Sequence, residues 1–382
     1  MRPILRLTPE ERVAGFPGPV FDEPYDSVST TLSPRAALES LIADAVTAAP
    51  CYVMFSGGRD SSAVLAVALS VARAVGAPDP IPVTARHAKV ADSLETEWQQ
   101  AVLDHLGLRN QIVVDFDGEQ SWLGETAVGR LRKFGLMWPV AGTIHGALLD
   151  RLDPGTVLSG EGGDMVIAGR RATTFLNAVR SRRPRLAVHE ARLLVREPGE
   201  LRRALTESRD AIAWLTPAGK ELITPLGLPA VESLHWSKGL REAVASRPAR
   251  MVRNNFMAAV ESSGHRSSNP LEHPLFVSAL MRAGGWRGFG HRTAFMKYLF
   301  GDVLPDAVLS RTTKAEFTGA RWTDRERDFA RSWDGAGVDP RYIDAEALRA
   351  DWLSENPSPR SDFHLHAAWL AQNNLPAEGE AA

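Results

Sequence analysis

Short apolar runs alternate with longer amphipathic stretches through the first half of the chain. Four short runs of β-branched, aromatic and other apolar residues each predict a buried strand, at residues 51–55, 81–85, 111–116 and 156–160. Helical patterns lie before and between them, at residues 35–49, 61–76, 92–106 and 141–152. Strands and helices that alternate at this spacing predict an α/β protein, with a doubly wound parallel sheet covered by helices on both faces.

The alternation ends near residue 170, and the sequence beyond it predicts amphipathic helices interrupted by prolines. We therefore divide the chain into an N-terminal lead-in with one helix (1–48), an α/β domain (49–175), a mainly helical region (176–375) and a disordered tail (376–382). An arginine-rich stretch at 180–209 leaves two interpretations open, a docking surface for an acidic partner or a solvated helical face.

Composition narrows the classes of function. The 382 residues include 44 basic and 46 acidic ones, and this net charge of −2 argues against a nucleic-acid partner. The one cysteine, Cys51, excludes an internal disulfide and a cysteine-based zinc cluster. The N-terminus lacks the apolar core of a signal peptide, and the charge-free run near the first motif is far shorter than the ~20 residues that span a bilayer. We expect a soluble cytoplasmic protein with no membrane partner.

A loop between the first predicted strand and the helix after it carries the densest set of candidate ligand groups: Ser56, Gly57, Gly58, Arg59, Asp60, Ser61 and Ser62. Glycines let the backbone approach a ligand closely, and the helix N-terminus favours a phosphate there. A carboxylate in such a loop repels phosphate unless a divalent cation lies between them. We therefore expect Asp60 to hold Mg²⁺ that bridges to the phosphates, the alternative being an ordinary strand-to-helix turn.

A second loop of related composition follows the fourth predicted strand: Ser159, Gly160, Glu161, Gly162, Gly163 and Asp164. Loops at the carboxyl ends of parallel strands converge on one crevice, so this loop is expected to face the first. Asp164 is then the second carboxylate for the same Mg²⁺, Glu161 lies on the reacting side, and Gly160 and Gly162 border the ligand. The alternative is a solvated turn.

The two loops, S-G-G-x-D-S-S followed by L-S-G-E-G-x-D, resemble the synthetase domain of the asparagine synthetase family, which includes β-lactam synthetase and the lasso-peptide cyclases. The resemblance covers residues 49–172 well and residues 250–320 more loosely. It implies an adenine nucleotide alpha hydrolase-like fold and an enzyme that splits ATP into AMP and pyrophosphate while forming an amide bond. The frame Arg311, Lys314 and Phe317 resembles a family pattern in which Lys314 would stabilise the developing negative charge. Glu161 would accept or steer the amine proton.

Three departures from the family pattern shape the functional prediction. Arg59 stands where the family usually has leucine, and Arg2 stands where asparagine synthetase carries a nucleophilic cysteine. We therefore expect no glutaminase activity from this polypeptide. The aspartate of the family's P-F-L-D motif is missing near residues 270–277, which puts the usual acceptor pocket in doubt.

Because the expected amine source is the substrate itself, we predict a peptide macrolactam cyclase of the lasso-peptide type. Its substrate would be a precursor peptide or a carboxylate-bearing small molecule, with a leader-binding protein or a protease as partner. Three alternatives stay open: a stand-alone asparagine synthase-like amidotransferase fed by ammonia or a partner glutaminase, a tRNA-modifying enzyme that shares S-G-G-x-D-S, and a non-catalytic nucleotide-binding partner subunit.

Overall fold

The computed structural model describes residues 2–18, 25–87, 90, 95–194, 212–227, 233, 235–313 and 318–378. Within these residues, five strands form one parallel sheet: β1 (Cys51–Met54), β2 (Ile81–Arg86), β3 (Ile112–Asp115), β4 (Thr156–Leu158) and β5 (Arg266–Ser268). The predicted α/β class with a doubly wound parallel sheet is confirmed, together with the four predicted strands. Strand β5 was not predicted, because its residues Arg-Ser-Ser carry no apolar pattern.

Helices precede, separate and follow the strands. Up to β4 they are α1 (Pro9–Ala14), α2 (Pro34–Val46), α3 (Arg59–Val75), α4 (Thr96–Leu106), α5 (Glu125–Phe134) and α6 (Gly146–Leu149). After β4 they are α7 (Gly163–Val166), α8 (Arg171–Arg180), α9 (Pro184–Leu194), α10 (Pro217–Leu222), α11 (Trp236–Ala245), α12 (Arg247–Ser262), α13 (Pro274–Gly284), α14 (Arg292–Phe300), α15 (Asp306–Ser310), α16 (Thr318–Arg321), α17 (Asp324–Ser332), α18 (Ala345–Leu353) and α19 (Asp362–Gln372). Among the described residues, none of these helices combines the length and the apolar character needed to cross a membrane.

The strand order β3-β2-β1-β4-β5 decides where a ligand can bind. The chain runs outward from β1 to β3 and then returns, so that β4 pairs with the other side of β1, with Val157 opposite Tyr52. The direction of winding reverses between β1 and β4. In open α/β sheets, ligands bind in the crevice outside the carboxyl ends of the strands at this switch point. The two glycine-rich loops leave the sheet there.

The two faces of β1 belong to different cores. Side chains alternate along a strand, so Cys51, Val53 and Phe55 pack on one face with the apolar side of α3, while Tyr52 packs on the other with Phe256 of α12. A separate cluster joins the N-terminal segment to the C-terminal helices and buries several tryptophans, namely Trp122, Trp214, Trp322, Trp333 and Trp352. These tryptophans are core residues and not a stacking platform.

A buried asparagine fastens the N-terminal segment to α12. The side-chain oxygen of Asn255 accepts from the backbone N–H of Leu5 at 2.8 Å, and its amide donates to the carbonyl oxygens of Leu5 at 2.9 Å and Trp138 at 2.7 Å. Asn255 is fully buried. Because α12 also forms one wall of the cavity described below, this asparagine holds that wall in place.

Replacing Asn255 by alanine is expected to destabilise the protein by about 2–3 kcal/mol, because buried backbone groups lose their partners. Urea unfolding of Asn255→Ala measures the loss. The exposed Asn373, whose amide donates to the carbonyl oxygen of Trp369 at 2.8 Å, supplies the control Asn373→Ala, which should cost less than about 1 kcal/mol. Equal losses for the two variants would contradict this role.

Candidate active site

The loop between β1 and α3 is folded by its own serines. The hydroxyls of Ser56 and Ser61 lie 3.1 Å apart, and the Ser61 hydroxyl donates to the carbonyl oxygen of Gly58 at 3.1 Å. The Ser61 oxygen also accepts from the backbone N–H of Ser56 at 3.3 Å. This arrangement places Ser56, Gly58, Arg59, Asp60 and Ser61 in the wall of a cavity of about 680 Å³.

Two of the predicted binding residues lie behind the cavity wall. Gly57 has a φ of +83° and sits against α4, where an added Cβ would lie 2.8 Å from the Cγ of Gln99. Ser62 is fully buried in the first turn of α3, and its hydroxyl has no hydrogen-bond partner. Both residues therefore shape the loop instead of lining the space in front of it.

The second loop packs directly on the backbone of Ser61 and the side chain of Asp60 in the first loop. A Cβ added to Gly160 would lie 2.7 Å from the nitrogen of Ser61, and one added to Gly163 would lie 2.4 Å from the Cγ of Asp60. No side chain fits at either position without displacing the first loop. On its other side, the hydroxyl of Ser159 donates to Asn269 at 2.8 Å, which connects the second loop to the residue after β5.

Asp60 and Asp164 meet as the sequence predicts, and an arginine lies between them. Nη2 of Arg292 contacts the two carboxylate oxygens of Asp60 at 2.7 and 2.6 Å and Oδ1 of Asp164 at 3.0 Å. The side chains of Arg292 and Asp60 are 17% and 16% exposed, whereas that of Asp164 is 68% exposed. Burial raises the pKa of Asp60, and the Arg292 guanidinium opposes that rise.

The chemistry of this pair fits Mg²⁺. Mg²⁺ prefers oxygen ligands and is held through one or two carboxylates together with substrate phosphates. Asp60 and Asp164 supply carboxylate oxygens around a common point, beside a loop that can receive phosphates. Across the part of the chain that the structure describes, no group of three or more His, Cys, Asp or Glu side chains could hold a metal. The pair therefore suits a metal that arrives with phosphates and not a closed protein site.

A second pair of acids, Glu161 and Glu272, lines the same cavity. Burial and the charge of Glu161 raise the pKa of Glu272 to about 7, while Arg253 acts in the opposite direction. The Oε2 atom of Glu272 is buried and has no hydrogen-bond partner. Gly162, with a φ of +77°, lets Glu272 approach, since an added Cβ would lie 2.0 Å from its Cγ.

Glu272 lies close to where the sequence lacks the aspartate of the family motif. The 3₁₀ turn Pro270–Glu272 places its carboxylate in the cavity wall, and the altered acceptor pocket stays a prediction. The sequence Pro-Leu-Glu at residues 270–272 indicates this carboxylate when glutamate is accepted in place of the aspartate of P-F-L-D. His273 next to it accepts a hydrogen bond from the N–H of Leu275 and caps the N-terminus of α13.

Arg311 connects the first loop to α4. It forms a buried ion pair with Glu95, donates to the carbonyl oxygen of Gly57 at 3.1 Å and lies over the ring of Trp98. Arg311, Thr312 and Thr313 line the cavity. Lys314 and Phe317, the other members of the predicted frame, lie outside the described residues, so the role of Lys314 stays a prediction.

The far wall of the cavity is partly apolar and carries a buried cation. Leu148 and Phe256 supply apolar surface, and Arg321 donates to both oxygens of Gln120. Burial and the Arg321 charge lower the pKa of His87 and of His145 to about 4, so both imidazoles are neutral at pH 7. Burial lowers the pKa of Arg321 to about 10, which leaves it charged.

Comparison with known proteins now identifies the family. The family model described as Asparagine synthase matches residues 35–372, which is most of the chain. The chain belongs to the asparagine synthase family. It is therefore an ATP-dependent ligase of the asparagine synthetase type that forms amide (carbon–nitrogen) bonds. No curated protein matches the chain.

Two site residues of this asparagine synthase family member were not predicted. Arg292 follows a glycine-rich stretch that carries no motif, and only the tertiary structure brings it to the two loops. Glu272 was not predicted because the residues around it differ from the P-F-L-D motif. Both residues come from the part of the chain that was predicted to be mainly helical.

The contact between the loops is expected to control nucleotide binding in this member of the asparagine synthase family. Gly163→Ala forces the Asp60 carboxylate to shift, and a displacement of this size should weaken binding of ATP with Mg²⁺ at least about tenfold. Fluorescent-nucleotide titration measures the change. Gly169→Ala is the matched control, since its added Cβ would meet only the Cα of His291, at 3.9 Å. A Gly163→Ala variant with unchanged affinity would contradict the expectation.

Glu272 should make stability depend on pH. Its pKa rises from 4.5 to about 7 on folding, so between these values the native state keeps a proton that the unfolded state has lost. The stability of the wild type relative to Glu272→Gln should therefore fall, by about 2 kcal/mol, as the pH rises from about 4.5 to about 7. Urea unfolding at several pH values measures this.

The matched control is Glu97→Gln, which removes an exposed carboxylate from α4 in the same measurement. Stability curves for Glu272→Gln and the wild type that stay parallel from pH 4.5 to pH 7 would show that the Glu272 carboxyl titrates normally.

Proposed function

We propose that this ligase adenylates a carboxylate of a peptide and joins it to an amine of the same peptide, as a macrolactam cyclase of the lasso-peptide type. The observation that carries the proposal is the convergence of two pairs of carboxylates, Asp60 with Asp164 and Glu161 with Glu272, on one cavity. The first pair suits a phosphate-bound cation, and the second suits an amine. Each pair matches one step of the reaction.

In the first step, an oxygen of the substrate carboxylate attacks the α-phosphorus of ATP. The bond between that phosphorus and the oxygen that bridges the α- and β-phosphates breaks, and pyrophosphate leaves with this oxygen. The loop N–H groups and the arginines Arg59 and Arg292 oppose the negative charge of the departing group. Mg²⁺ held by Asp60 and Asp164 would supply further neutralisation of the phosphates.

In the second step, the amine attacks the acyl carbon and AMP leaves. The amine must lose a proton, and a base with a pKa near the working pH accepts it most effectively. Glu272, whose pKa is raised to about 7, suits that role, and Glu161 orients the amine from the other side. Lys314 remains our candidate for stabilising the developing oxyanion. Its support is the position of Arg311 to Thr313, directly before it, in the cavity wall.

Two observations support an amine that comes from the substrate. The single cysteine, Cys51, is buried in β1, and burial raises its pKa to about 12, so it cannot act as a glutaminase nucleophile. The cavity also continues past the loops along Ala249, Val252 and Phe256 of α12, which gives space and apolar surface for a peptide. A precursor peptide is therefore the proposed substrate, with a leader-binding protein or a protease as the proposed partner.

The test uses the full chain with ATP, Mg²⁺ and candidate precursor peptides, which are the short peptides found encoded near its gene. We expect equal amounts of AMP and pyrophosphate, and a product lighter than the peptide by one water. Asp60→Asn and Asp164→Asn should each lower AMP formation at least about 100-fold, because transition-state charge loses its stabilisation. Asp44→Asn, an exposed carboxylate on α2, is the control and should keep full activity.

Other products would decide between the alternatives. ADP with orthophosphate would eliminate the adenylation scheme. A primary amide that forms only when ammonia is added would favour the stand-alone amidotransferase instead. A gene neighbourhood with no short precursor peptide would argue the same way.

A further inference from the structure

The cation between Asp60 and Asp164 belongs to the protein itself. We infer that Arg292 is a resident cation which keeps divalent metal out of the free enzyme, so that Mg²⁺ enters only together with the nucleotide. This inference rests on the proposed use of Mg²⁺ and ATP at the two loops, and it adds the order in which that site is filled.

The Arg292 guanidinium occupies the space that a bridging metal needs. Its Nη2 lies 2.6 to 3.0 Å from oxygens of both carboxylates, and its Nη1 donates to the carbonyl oxygens of Gly163 at 3.2 Å and Ile167 at 3.3 Å. Mg²⁺ sits about 2.0–2.1 Å from its oxygen ligands. An ion at that distance from both carboxylates would overlap Nη2, so the arginine and the metal exclude each other.

The two loops are in direct contact, since Gly160 lies against the backbone of Ser61 and Gly163 lies against the side chain of Asp60. Arg292 is the part that can move, since it is the first residue of α14 and its side chain reaches the loops through flexible methylene groups. Its Nε is buried without a hydrogen-bond partner, so the present arrangement leaves one of its donors unused.

Charge explains why the metal needs the nucleotide. Two carboxylates and one guanidinium leave the site with little remaining attraction for a cation, and Arg59 adds a second positive charge nearby. A divalent ion alone would have to displace the Arg292 guanidinium from the two carboxylates. It would then be repelled by that guanidinium nearby. A polyphosphate brings enough negative charge to hold both cations. Metal and nucleotide therefore favour each other's binding, and this coupling is reciprocal.

The experiment titrates Mn²⁺ into the full chain without nucleotide and measures free Mn²⁺ by electron paramagnetic resonance. Arg292→Gln should bind Mn²⁺ at least about tenfold more tightly than the wild type, since the competing ion pair is gone. A non-hydrolysable ATP analogue should reduce this difference. Arg59→Gln is the matched control, because it removes an equal charge from the wall of the same cavity. It should change the Mn²⁺ affinity by less than about threefold.

Equal Mn²⁺ affinities for the wild type and Arg292→Gln would overturn the inference. An equal gain in Arg59→Gln would also overturn it, because the effect would then be charge at a distance and not occupancy. The double variant Asp60→Asn with Arg292→Gln should lose the gain, and a retained gain would place the metal elsewhere. If Arg292→Gln fails to fold, as judged by circular dichroism, Arg292→Met replaces it, with the same expected gain in Mn²⁺ affinity of at least about tenfold.

These outcomes are separable from those of the proposed function. A protein that forms no AMP with any peptide would refute the cyclase proposal and leave the Mn²⁺ comparison intact. A protein that forms AMP but shows equal Mn²⁺ affinities would refute the resident cation alone.

Discussion

Direct contact between two loops determines the geometry of this site. At the switch point of the sheet, Gly160 and Gly163 lie so close to Asp60 and Ser61 that no side chain can come between them. The contact follows from the parallel pairing of β1 with β4, which starts both loops side by side. Two carboxylates far apart in sequence thereby come within reach of one cation. The remaining parts of the site are arranged around that fixed point.

Some buried charged groups around the cavity are fully paired and others are not. The paired groups hold the structure together, and the unpaired ones are available to a ligand. Arg311 and Glu95 form a closed pair that also holds the carbonyl oxygen of Gly57, which is the pattern of a structural brace. Glu272 has a buried oxygen without a hydrogen-bond partner and a raised pKa. Groups that remain unsatisfied in a cavity wall are those that a ligand can satisfy. Glu161 and Glu272 are therefore more informative about the reaction than the ion pair of Arg311 with Glu95.

The sequence predicted those features that depend on local backbone or on sheet topology. The loops around Asp60 and Asp164 were recognisable because glycines at fixed positions are required there, and parallel strands made their convergence predictable. Arg292, Glu272 and β5 were missed because each depends on tertiary contacts, and the polar letters around them form no periodic pattern. The boundaries placed at 48, 175 and 375 remain predictions, although β5 shows that the later half contributes to the sheet.

The anchoring of Arg311 has a mechanical consequence. Because the Arg311 guanidinium binds the carbonyl oxygen of Gly57 and the carboxylate of Glu95 together, it ties the strand-to-helix turn of the first loop to the start of α4 and to the chain at Arg311. Lys314 follows only three positions later in the sequence. Movement of the turn therefore carries the backbone at Arg311 and the start of α4 with it.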